Sequence, residues 1–301
     1  MPEGFTQLRP VETEDDFRAL LHLESLLYAN AALCRFPAHP QSAIADRWLF
    51  GAPAGVFRYA YMFARNGVRI GYVMAYNLYP GEEKFALNLL PEYAQFAGET
   101  LQLAEGLTSR ENKHAALYIN TLDEELMRAA KKRGFRRPIK PARCQMGLDL
   151  AQYQEISVAW ENEHPAKLSP EDFEDRAGCG ISPRRKIAAE QYEAMYRSEY
   201  YAHARDHVIR TNDGAFAGHL TWWIDETGQT ASLETVATLP DFRRQGIMRR
   251  AIAEGLNMLK AEGIRYAYVS TSAQNPARFL YESVGFTELG KAYLFRKRCR
   301  N

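Results

Sequence analysis

Two stretches of the chain share one pattern of hydrophobic and polar positions. Residues 66–77 (NGVRIGYVMAYN) and 213–224 (DGAFAGHLTWWI) each begin with a two-residue turn signal, continue as an apolar alternation and carry a glycine at the sixth position. Asn-Gly and Asp-Gly pairs flanked by alternating apolar residues are typical of tight turns between paired strands. Both stretches are therefore predicted to be β-hairpins.

The similarity extends beyond the hairpins. Residues 90–97 (LPEYAQFA) and 239–246 (LPDFRRQG) follow apolar runs at matching places, and each copy closes on a Gly-Phe pair. Pro91 precedes Gly134 by 43 residues, and Pro240 precedes Gly285 by 45. Self-similarity over such a length indicates a repeated structural unit.

Each copy continues with the same predicted elements. A helical stretch leads to a β-rich run (115–121 and 266–271), then to a second helix and a final strand (144–150 and 292–298). Alternating elements of this kind predict an α/β fold in which helices flank a mixed, mostly antiparallel sheet. Two related domains are therefore expected.

The domain boundary is placed after Leu150, which gives domains 1–150 and 151–301. Residues 162–185 are rich in Pro, Gly and charge and are predicted to be a loop-rich connection. Residues 186–205 have a helix-forming composition and are predicted to be the first long helix of the second domain.

Composition narrows the class of protein. The chain has 301 residues, 46% hydrophobic and 25% charged, with a net charge of +1, as in an ordinary globular protein of about two domains. Its four cysteines form no CxxC pair, which argues against a zinc site or a disulfide framework and favours a reducing compartment. The N-terminus lacks an apolar signal region, so a cytoplasmic protein with no membrane partner is expected.

One loop of the second copy carries candidate chemistry. Arg243, Arg244, Gln245 and Gly246 lie between a strand predicted to end near Thr238 and a helix predicted to begin near Gly246. The first N–H groups of a helix have no internal partner and lie at its positive end, so such a loop favours an anion. The alternative is an ordinary solvated helix start.

The context of this loop resembles the GNAT superfamily of acyl-CoA-dependent N-acyltransferases. The sequence around the loop, VATLPDFRRQGIMRRAI, is similar to motif A of that family, and NPARFLYESVGF is similar to motif B. The motif A positions are Arg243, Gly246 and Met248. The motif B positions are Asn275, Ala277, Tyr281, Gly285 and Phe286.

The resemblance implies that acetyl-CoA or another acyl-CoA is the co-substrate. The strand would pair with the pantetheine arm, and the loop N–H groups would hold the pyrophosphate. The cofactor-binding residues expected on this basis are Val236, Ala237, Thr238, Arg243, Arg244, Gln245, Gly246, Ile247, Met248, Arg249 and Asn275. At the Met248 position the family usually has Gly or Ala; this side chain either packs away from the loop or reshapes it.

The resemblance also assigns catalytic roles. Tyr281 occupies the motif B position of the tyrosine that protonates the departing thiolate, and a phenol is a reasonable donor. Glu234 lies two residues before Val236, on the same face of the strand, and is the candidate base. The alternatives are a core tyrosine and an ion-pairing glutamate. His203 and His207 share a helical spacing, but no third ligand accompanies them, so no metal is expected.

The first copy lacks these residues. Aligned on the shared Leu-Pro, the loop corresponds to Ala94, Gln95, Phe96 and Ala97, and Tyr281 corresponds to Ala130. The chain is therefore interpreted as a tandem GNAT protein with a degenerate N-terminal copy and a catalytic C-terminal copy. The first copy is either a packing partner or a cover for the acceptor site, with Trp48 or its neighbours reaching the pocket.

The expected function is N-acetyl transfer to the amine of a small molecule, with a protein or peptide amine as a further possibility. The alternative is a non-catalytic acyl-CoA sensor or scaffold. Nucleic-acid binding through RRQGIMRR is least favoured, because a net charge of +1 provides little long-range attraction. The sequence leaves the acceptor open, and it allows either a monomer or a homodimer.

Overall fold

The computed structural model describes residues 5–28, 57–79, 82–107, 114–179, 189–197 and 199–299. Within these residues twelve strands form one continuous sheet. The strands are β1 (Gln7–Pro10), β2 (Phe57–Arg65), β3 (Val68–Tyr79), β4 (Glu82–Leu89), β5 (His114–Asn120), β6 (Arg143–Asp149), β7 (Glu163–Lys167), β8 (Ala204–Thr211), β9 (Phe216–Asp225), β10 (Thr230–Thr238), β11 (Tyr266–Ser272) and β12 (Thr287–Arg298).

Seven α-helices flank the sheet in the described parts of the chain. They are α1 (Glu14–Tyr28), α2 (Ala97–Gly106), α3 (Glu124–Lys132), α4 (Phe173–Gly178), α5 (Ala189–Tyr196), α6 (Ile247–Ala261) and α7 (Ala277–Glu282). Short 3₁₀ helices span Pro91–Phe96, Pro170–Asp172, Glu199–His203 and Pro240–Phe242. This is the expected α/β architecture.

The sheet is mixed and mostly antiparallel, as predicted. Its strand order is β1-β2-β3-β4-β5-β12-β6-β11-β10-β9-β8-β7. Two neighbouring pairs run parallel, β4 with β5 and β10 with β11. Each copy of the repeat therefore contains one parallel pair in the same place.

Both predicted hairpins are confirmed. β2 and β3 are joined by Asn66 and Gly67, whose φ values of 49° and 79° lie in the left-handed region. That conformation matches the twist of paired strands and favours Asn-Gly. β8 and β9 pair antiparallel across the turn that contains Asp213 and Gly214.

The repeated glycine at the sixth hairpin position has the same role in both copies. A Cβ atom on Gly71 would lie 2.2 Å from the Asn88 carbonyl oxygen, and one on Gly218 would lie 2.5 Å from the Ala237 carbonyl oxygen. Any larger residue would force the adjacent strand away. The glycines thus hold β3 against β4 and β9 against β10.

The two copies exchange their final strands. β6 pairs with β11 from Ser272↔Arg143 to Tyr266↔Asp149, so it extends the second copy's sheet. β12 pairs with β5, and it also pairs with β6. Each half of the chain therefore completes the sheet of the other half. The boundary after Leu150 stays a prediction, and the strand just before it is built into the second copy.

Two sequence predictions about the second copy are wrong. Residues 162–185 do not form only a loop, because they include β7 and α4. β7 pairs with β8 at the edge of the sheet, where Pro165 is tolerated since an edge strand leaves some N–H groups unused. The predicted helix 186–205 is also too long: α5 ends at Tyr196, and β8 begins at Ala204 with an alternating burial pattern.

The second copy packs helices on both faces of its sheet. α6 lies over one face, where Ile252 and Leu256 join Trp222 and Leu233 in one core. α4 and α5 cover the opposite face of β8 and β9. α1, from the first copy, reaches across to Tyr268 of β11, whose hydroxyl donates to the Tyr28 carbonyl oxygen at 3.1 Å.

Candidate active site

The centre of the second copy is a gap between two parallel strands. β10 and β11 pair from Thr230↔Tyr266 to Leu233↔Val269, and among the described residues the pairing stops there. β10 continues to Thr238 with only β9 beside it. The backbone of Val236, Ala237 and Thr238 thus borders an opening in which an extended molecule can hydrogen-bond as another strand would.

A bulge lies at the start of this gap. The β9 register shifts between Leu233 and Val236, so Glu234 and Thr235 are outside the regular ladder. Such bulges re-aim side chains and are frequent beside active sites. The corresponding pairing of β4 with β3 runs without a shift from Gly71↔Leu89 to Tyr76↔Lys84. The bulge is therefore a feature of the second copy.

The loop after β10 presents a row of free amide groups. Arg243 closes the 3₁₀ helix by donating its N–H to Pro240, and Gly246, at φ 75°, is the N-cap of α6. Within the described chain, the backbone N–H groups of residues 244–249 make no hydrogen bond to a protein acceptor. Six adjacent donors at the positive end of a 15-residue helix favour an anion.

The arginine side chains at this loop differ in how strongly protein contacts hold them. Arg244 and Arg249 are exposed, and the Arg249 guanidinium reaches the Ser283 carbonyl oxygen only at 3.4 Å. The Arg243 Nε donates to Thr238 O at 3.0 Å, which ties the loop to the strand. Arg250 is committed elsewhere: it pairs with Glu163 at 3.0 Å and lies over the Trp160 ring.

Met248 packs away from the loop. Its side chain is buried in the core beneath α6, and its Cε would lie 3.3 Å from a Cβ built on Gly218. Because residue 218 is glycine, β9 has room for the methionine. Only the backbone N–H of Met248 faces the anion site, so the departure from the family motif leaves the loop amides in place.

Tyr281 lies within electrostatic range of Glu234. Burial raises the pKa of Tyr281 to about 12, the Glu234 carboxylate adds to the rise, and the Arg143 guanidinium opposes it. The predicted acid and the predicted base therefore lie in one region of the second copy, and their catalytic roles stay a prediction. No described residue makes a hydrogen bond to the Tyr281 hydroxyl, so it stays available to a bound molecule.

Asn275 lies two residues before the helix that carries Tyr281. Its side-chain oxygen accepts the Ala277 N–H at 3.0 Å, at the first residue of α7. This contact explains the asparagine structurally, while its assignment to the cofactor stays a prediction.

The turn before α7 is held by residues from the first half of the chain. Ala273 N donates to Ala142 O at 3.2 Å, and Gln274 Nε2 donates to Pro141 O at 3.1 Å. Arg143 adds a bond from its Nε to the Ser270 hydroxyl at 2.8 Å. Sequence analysis missed Arg143 because it lies in the first copy, outside motifs A and B. The exchange of β6 brings it beside β11 and the turn before α7.

The first copy has closed its own anion site. Residues corresponding to the loop form the 3₁₀ helix Pro91–Phe96, which continues directly into α2. A helix of this type bonds its own N–H groups, so few remain for a ligand. Glu99 in the first turn of α2 forms an ion pair with Arg65 at 3.0 Å.

Several other expectations concern chemistry away from the loop. Burial raises the pKa of the Cys144 and Cys179 thiols to about 11, so both are protonated at neutral pH.

The two histidines with helical spacing do not lie on one helix. His203 ends a 3₁₀ helix and His207 lies on β8, so they do not share the helical face that their spacing suggested. Trp48 lies outside the described residues. The described chain contains no group of three His, Cys, Asp or Glu side chains placed for a metal, and no helix in it is long and apolar enough to cross a bilayer.

The gap, the bulge and the amide-rich loop all lie in the second copy. Residues 168–286 match the acetyltransferase (GNAT) family model. The second copy is thus similar to this family over these residues. No curated protein matches the sequence.

Solved structures show the same fold over nearly the whole chain. A tandem GNAT protein from the clavulanic acid biosynthesis pathway has a TM-score of 0.69 at 13% identity, covering 98% of this chain and 99% of its own. A GNAT-family acetyltransferase from Colwellia psychrerythraea has a TM-score of 0.60 at 15% identity, covering 97% and 100%. A GCN5-related N-acetyltransferase from Sphaerobacter thermophilus has 0.58 at 17%, covering 98% and 96%. The tandem GNAT fold predicted from the sequence is thus confirmed.

Proposed function

We propose that the protein transfers an acetyl group from acetyl-CoA to the amine of a small molecule, at the C-terminal copy. The observation that carries this proposal is the row of unbonded N–H groups at residues 244–249, beside the open edge of β10. A pyrophosphate on the loop would let the acyl arm run along Val236, Ala237 and Thr238 to the bulge.

The chemistry is a direct transfer. A neutral amine attacks the thioester carbonyl, Glu234 accepts the proton that the amine loses, and Tyr281 protonates the departing CoA thiolate. Proximity of the two side chains to one another supports these roles. The protonated, buried state of Cys144 and Cys179 argues against an acyl-cysteine intermediate at either residue.

A non-catalytic acyl-CoA sensor is the competing function. Two features of the sequence favour it: Met248, whose large side chain could disturb the pyrophosphate loop, and the loss of the motif residues from the first copy. Met248 packs into the core, so the first of these reasons is removed. A protein or peptide amine is a further acceptor class, and screening a panel of small amines and peptides by thiol release from acetyl-CoA separates it from the small-molecule class.

The N-terminal copy serves the site structurally in this proposal. Its α1 lies beside the second copy, with Phe17 against Tyr200 at 4.9 Å and Arg18 paired with Glu199 at 3.2 Å. It has no open anion loop of its own. The two copies in one chain correspond to the two subunits of a homodimer. Either a monomer or a homodimer of the whole chain therefore fits the proposal.

Calorimetric titration of acetyl-CoA tests the site directly. Arg243→Ala/Arg244→Ala should weaken binding by about 10- to 100-fold, because two charge-assisted contacts to phosphate are lost. Lys131→Ala/Lys132→Ala is the matched control: it removes the same charge from the exposed end of α3 and should leave affinity unchanged. Absence of binding to the wild-type protein, or equal affinity in both variants, would refute the assignment.

A further inference from the structure

A buried polar cluster lies behind the cofactor gap, on the face covered by α4. Arg176 of α4 forms an ion pair with Asp206 of β8 and donates from Nη2 to the Thr221 hydroxyl at 2.9 Å. Arg176 and Asp206 are each 2% exposed and Thr221 is fully buried. Buried charges are stable only when they are paired in this way.

His219 belongs to the same cluster. It lies two residues from Thr221 on β9 and is fully buried. Asp206 is paired with Thr221 across the β8–β9 ladder, so Asp206 and His219 are diagonal neighbours, at a typical separation of about 7–8 Å between backbones. The two side chains therefore lie on the same face of the sheet.

The ring of His219 connects this cluster to the bulge. Its Nδ1 lies 3.3 Å from the hydroxyl of Thr235, one of the two residues outside the β10 ladder. Among the described residues, no hydrogen-bond partner lies within reach of its Nε2, of Asp206 Oδ1 or of Arg176 Nε. The buried Tyr201 hydroxyl lies beside the same Asp206 carboxylate; burial, and then this carboxylate, raise the pKa of the tyrosine. Complete burial, and then the Arg176 charge, hold the pKa of His219 well below its usual range, so the ring is neutral at pH 7.

The first copy has a closed network around one hydroxyl at the equivalent place. Tyr72 follows Gly71 as His219 follows Gly218, and its hydroxyl donates to Glu24 and accepts from the Asn88 side chain. Both hydrogen-bonding roles of this hydroxyl are filled. Buried polar atoms are almost always paired, so the His219 Nε2 calls for an explanation that the Tyr72 hydroxyl does not.

The groups around the ring favour one of its two neutral forms. In a neutral histidine one nitrogen donates and the other accepts, and the partner of one nitrogen decides the state of the other. A proton on Nε2 suits the Asp206 carboxylate oxygen. Nδ1 then accepts the Thr235 O–H, which leaves the lone pairs of the Thr235 oxygen directed away from His219.

We propose that His219 is a positioning residue for the acceptor amine: Asp206, through a water molecule, keeps its proton on Nε2, and Nδ1 orients the Thr235 hydroxyl so that its oxygen accepts an N–H of the amine at the bulge. The inference rests on the proposed acetyl transfer. It adds the group that aims the amine lone pair at the acyl carbon, a role for which small misplacements are costly.

Variants at His219 and Thr235 test the link. His219→Leu should lower kcat by about 10- to 100-fold at saturating acetyl-CoA, with the acetyl-CoA Kd unchanged. His219→Asn, whose side chain places an acceptor near the Nδ1 position, should recover most of that loss. Thr235→Val should reproduce the His219→Leu effect and add nothing to it, whereas Thr235→Ser should stay near wild type. Unchanged kcat in His219→Leu or in Thr235→Val would overturn the proposal, as would failure of His219→Asn to exceed His219→Leu.

A control in the first copy separates positioning from folding. Tyr72→Phe breaks the closed network and should lower the melting temperature by about 2–6 °C without changing kcat. His219→Leu should not lower the melting temperature, because it removes a buried group with an unpaired nitrogen. A lower melting temperature with kcat unchanged in His219→Leu would show a purely structural histidine.

Nitrogen NMR of the histidine ring keeps the test independent of the proposed function. Acetyl-CoA binding to the wild-type protein tests the cofactor site by itself. The His219 ring should show the neutral form with its proton on Nε2, with or without activity. A proton on Nδ1 would refute the orienting role even if the acetyltransferase activity is established.

Discussion

At the residue scale, Tyr281 combines deep burial with a hydroxyl that no described residue occupies. It is 6% exposed, and its ring packs edge-on against Phe286 at 6.1 Å. A core tyrosine of the ordinary kind pairs its hydroxyl with a neighbour. Its free hydroxyl beside Glu234 therefore favours the catalytic role over the purely structural one.

Removing that hydroxyl should affect turnover and spare binding. Tyr281→Phe keeps the ring in the core, so we expect kcat to fall by about 10²- to 10⁴-fold, the usual contribution of a general acid. The acetyl-CoA Kd should change less than twofold. Thiol release and calorimetry on the same preparation check both numbers; a large loss of affinity would instead make Tyr281 a binding residue.

The pH dependence of the rate follows from the direction of the Tyr281 shift. Burial raises the pKa of Tyr281 to about 12, so the phenol stays protonated throughout the neutral and mildly alkaline range. As pH rises, more acceptor amine becomes neutral, and kcat/KM should rise to a plateau. No descending limb assignable to the acid should occur below about pH 11, given the raised pKa. A fall between pH 8 and 10 in a profile corrected for protein stability would contradict this.

At the element scale, the two hairpin glycines let equivalent strands approach closely, but they have different consequences in the two copies. Gly71 holds β3 against β4 in the copy whose 3₁₀ helix has closed the anion loop. Gly218 holds β9 against the strand that borders the gap, and it also makes room for Met248. The same local requirement therefore supports structure in one copy and the candidate site in the other.

Alanine substitutions at the two glycines distinguish a purely structural role from a role at the candidate site. Both Gly71→Ala and Gly218→Ala should cost about 1–3 kcal/mol of stability, because the new methyl group meets a carbonyl oxygen and the strands must part. Only Gly218→Ala should also weaken acetyl-CoA binding, since β10 carries the gap. Thermal unfolding and calorimetry compare the two variants; equal affinity in both would show that strand spacing does not control the site.

At the scale of the whole molecule, the exchange of β6 and β12 makes the two halves interdependent. β6 lies between β12 and β11, and the segment before it ties down the turn that leads to α7. The first copy therefore contributes directly to the framework of the candidate site. A chain cut after Leu150 would leave the edges of β11 and β12 uncovered, and bare edges promote aggregation.

Fragment complementation checks this interdependence. Residues 151–301 expressed alone should be insoluble or unable to bind acetyl-CoA, because β11 and β12 lose β6. Co-expressed with residues 1–150, they should co-purify and regain binding. A soluble, binding-competent 151–301 fragment would show that the exchanged strand is dispensable.

The sequence by itself determined the local elements and their repetition. Asn66-Gly67 specified a hairpin through backbone conformation, and the matched glycines and Leu-Pro pairs indicated two related units, because these features depend on neighbours in the chain. The amide-rich loop of residues 243–249 was likewise predictable, since a strand, a glycine N-cap and a helix start are local signals.

Only the tertiary structure decided which strands meet. β6 follows its own copy in sequence but pairs with β11 and β12, a choice set by contacts more than 100 residues apart along the chain. The same long-range packing brought Arg143 to the turn before α7, buried Met248 beside Gly218, and placed His219 between Asp206 and Thr235. Sequence patterns report local propensity and periodicity, whereas these juxtapositions depend on how the two copies fold into one sheet.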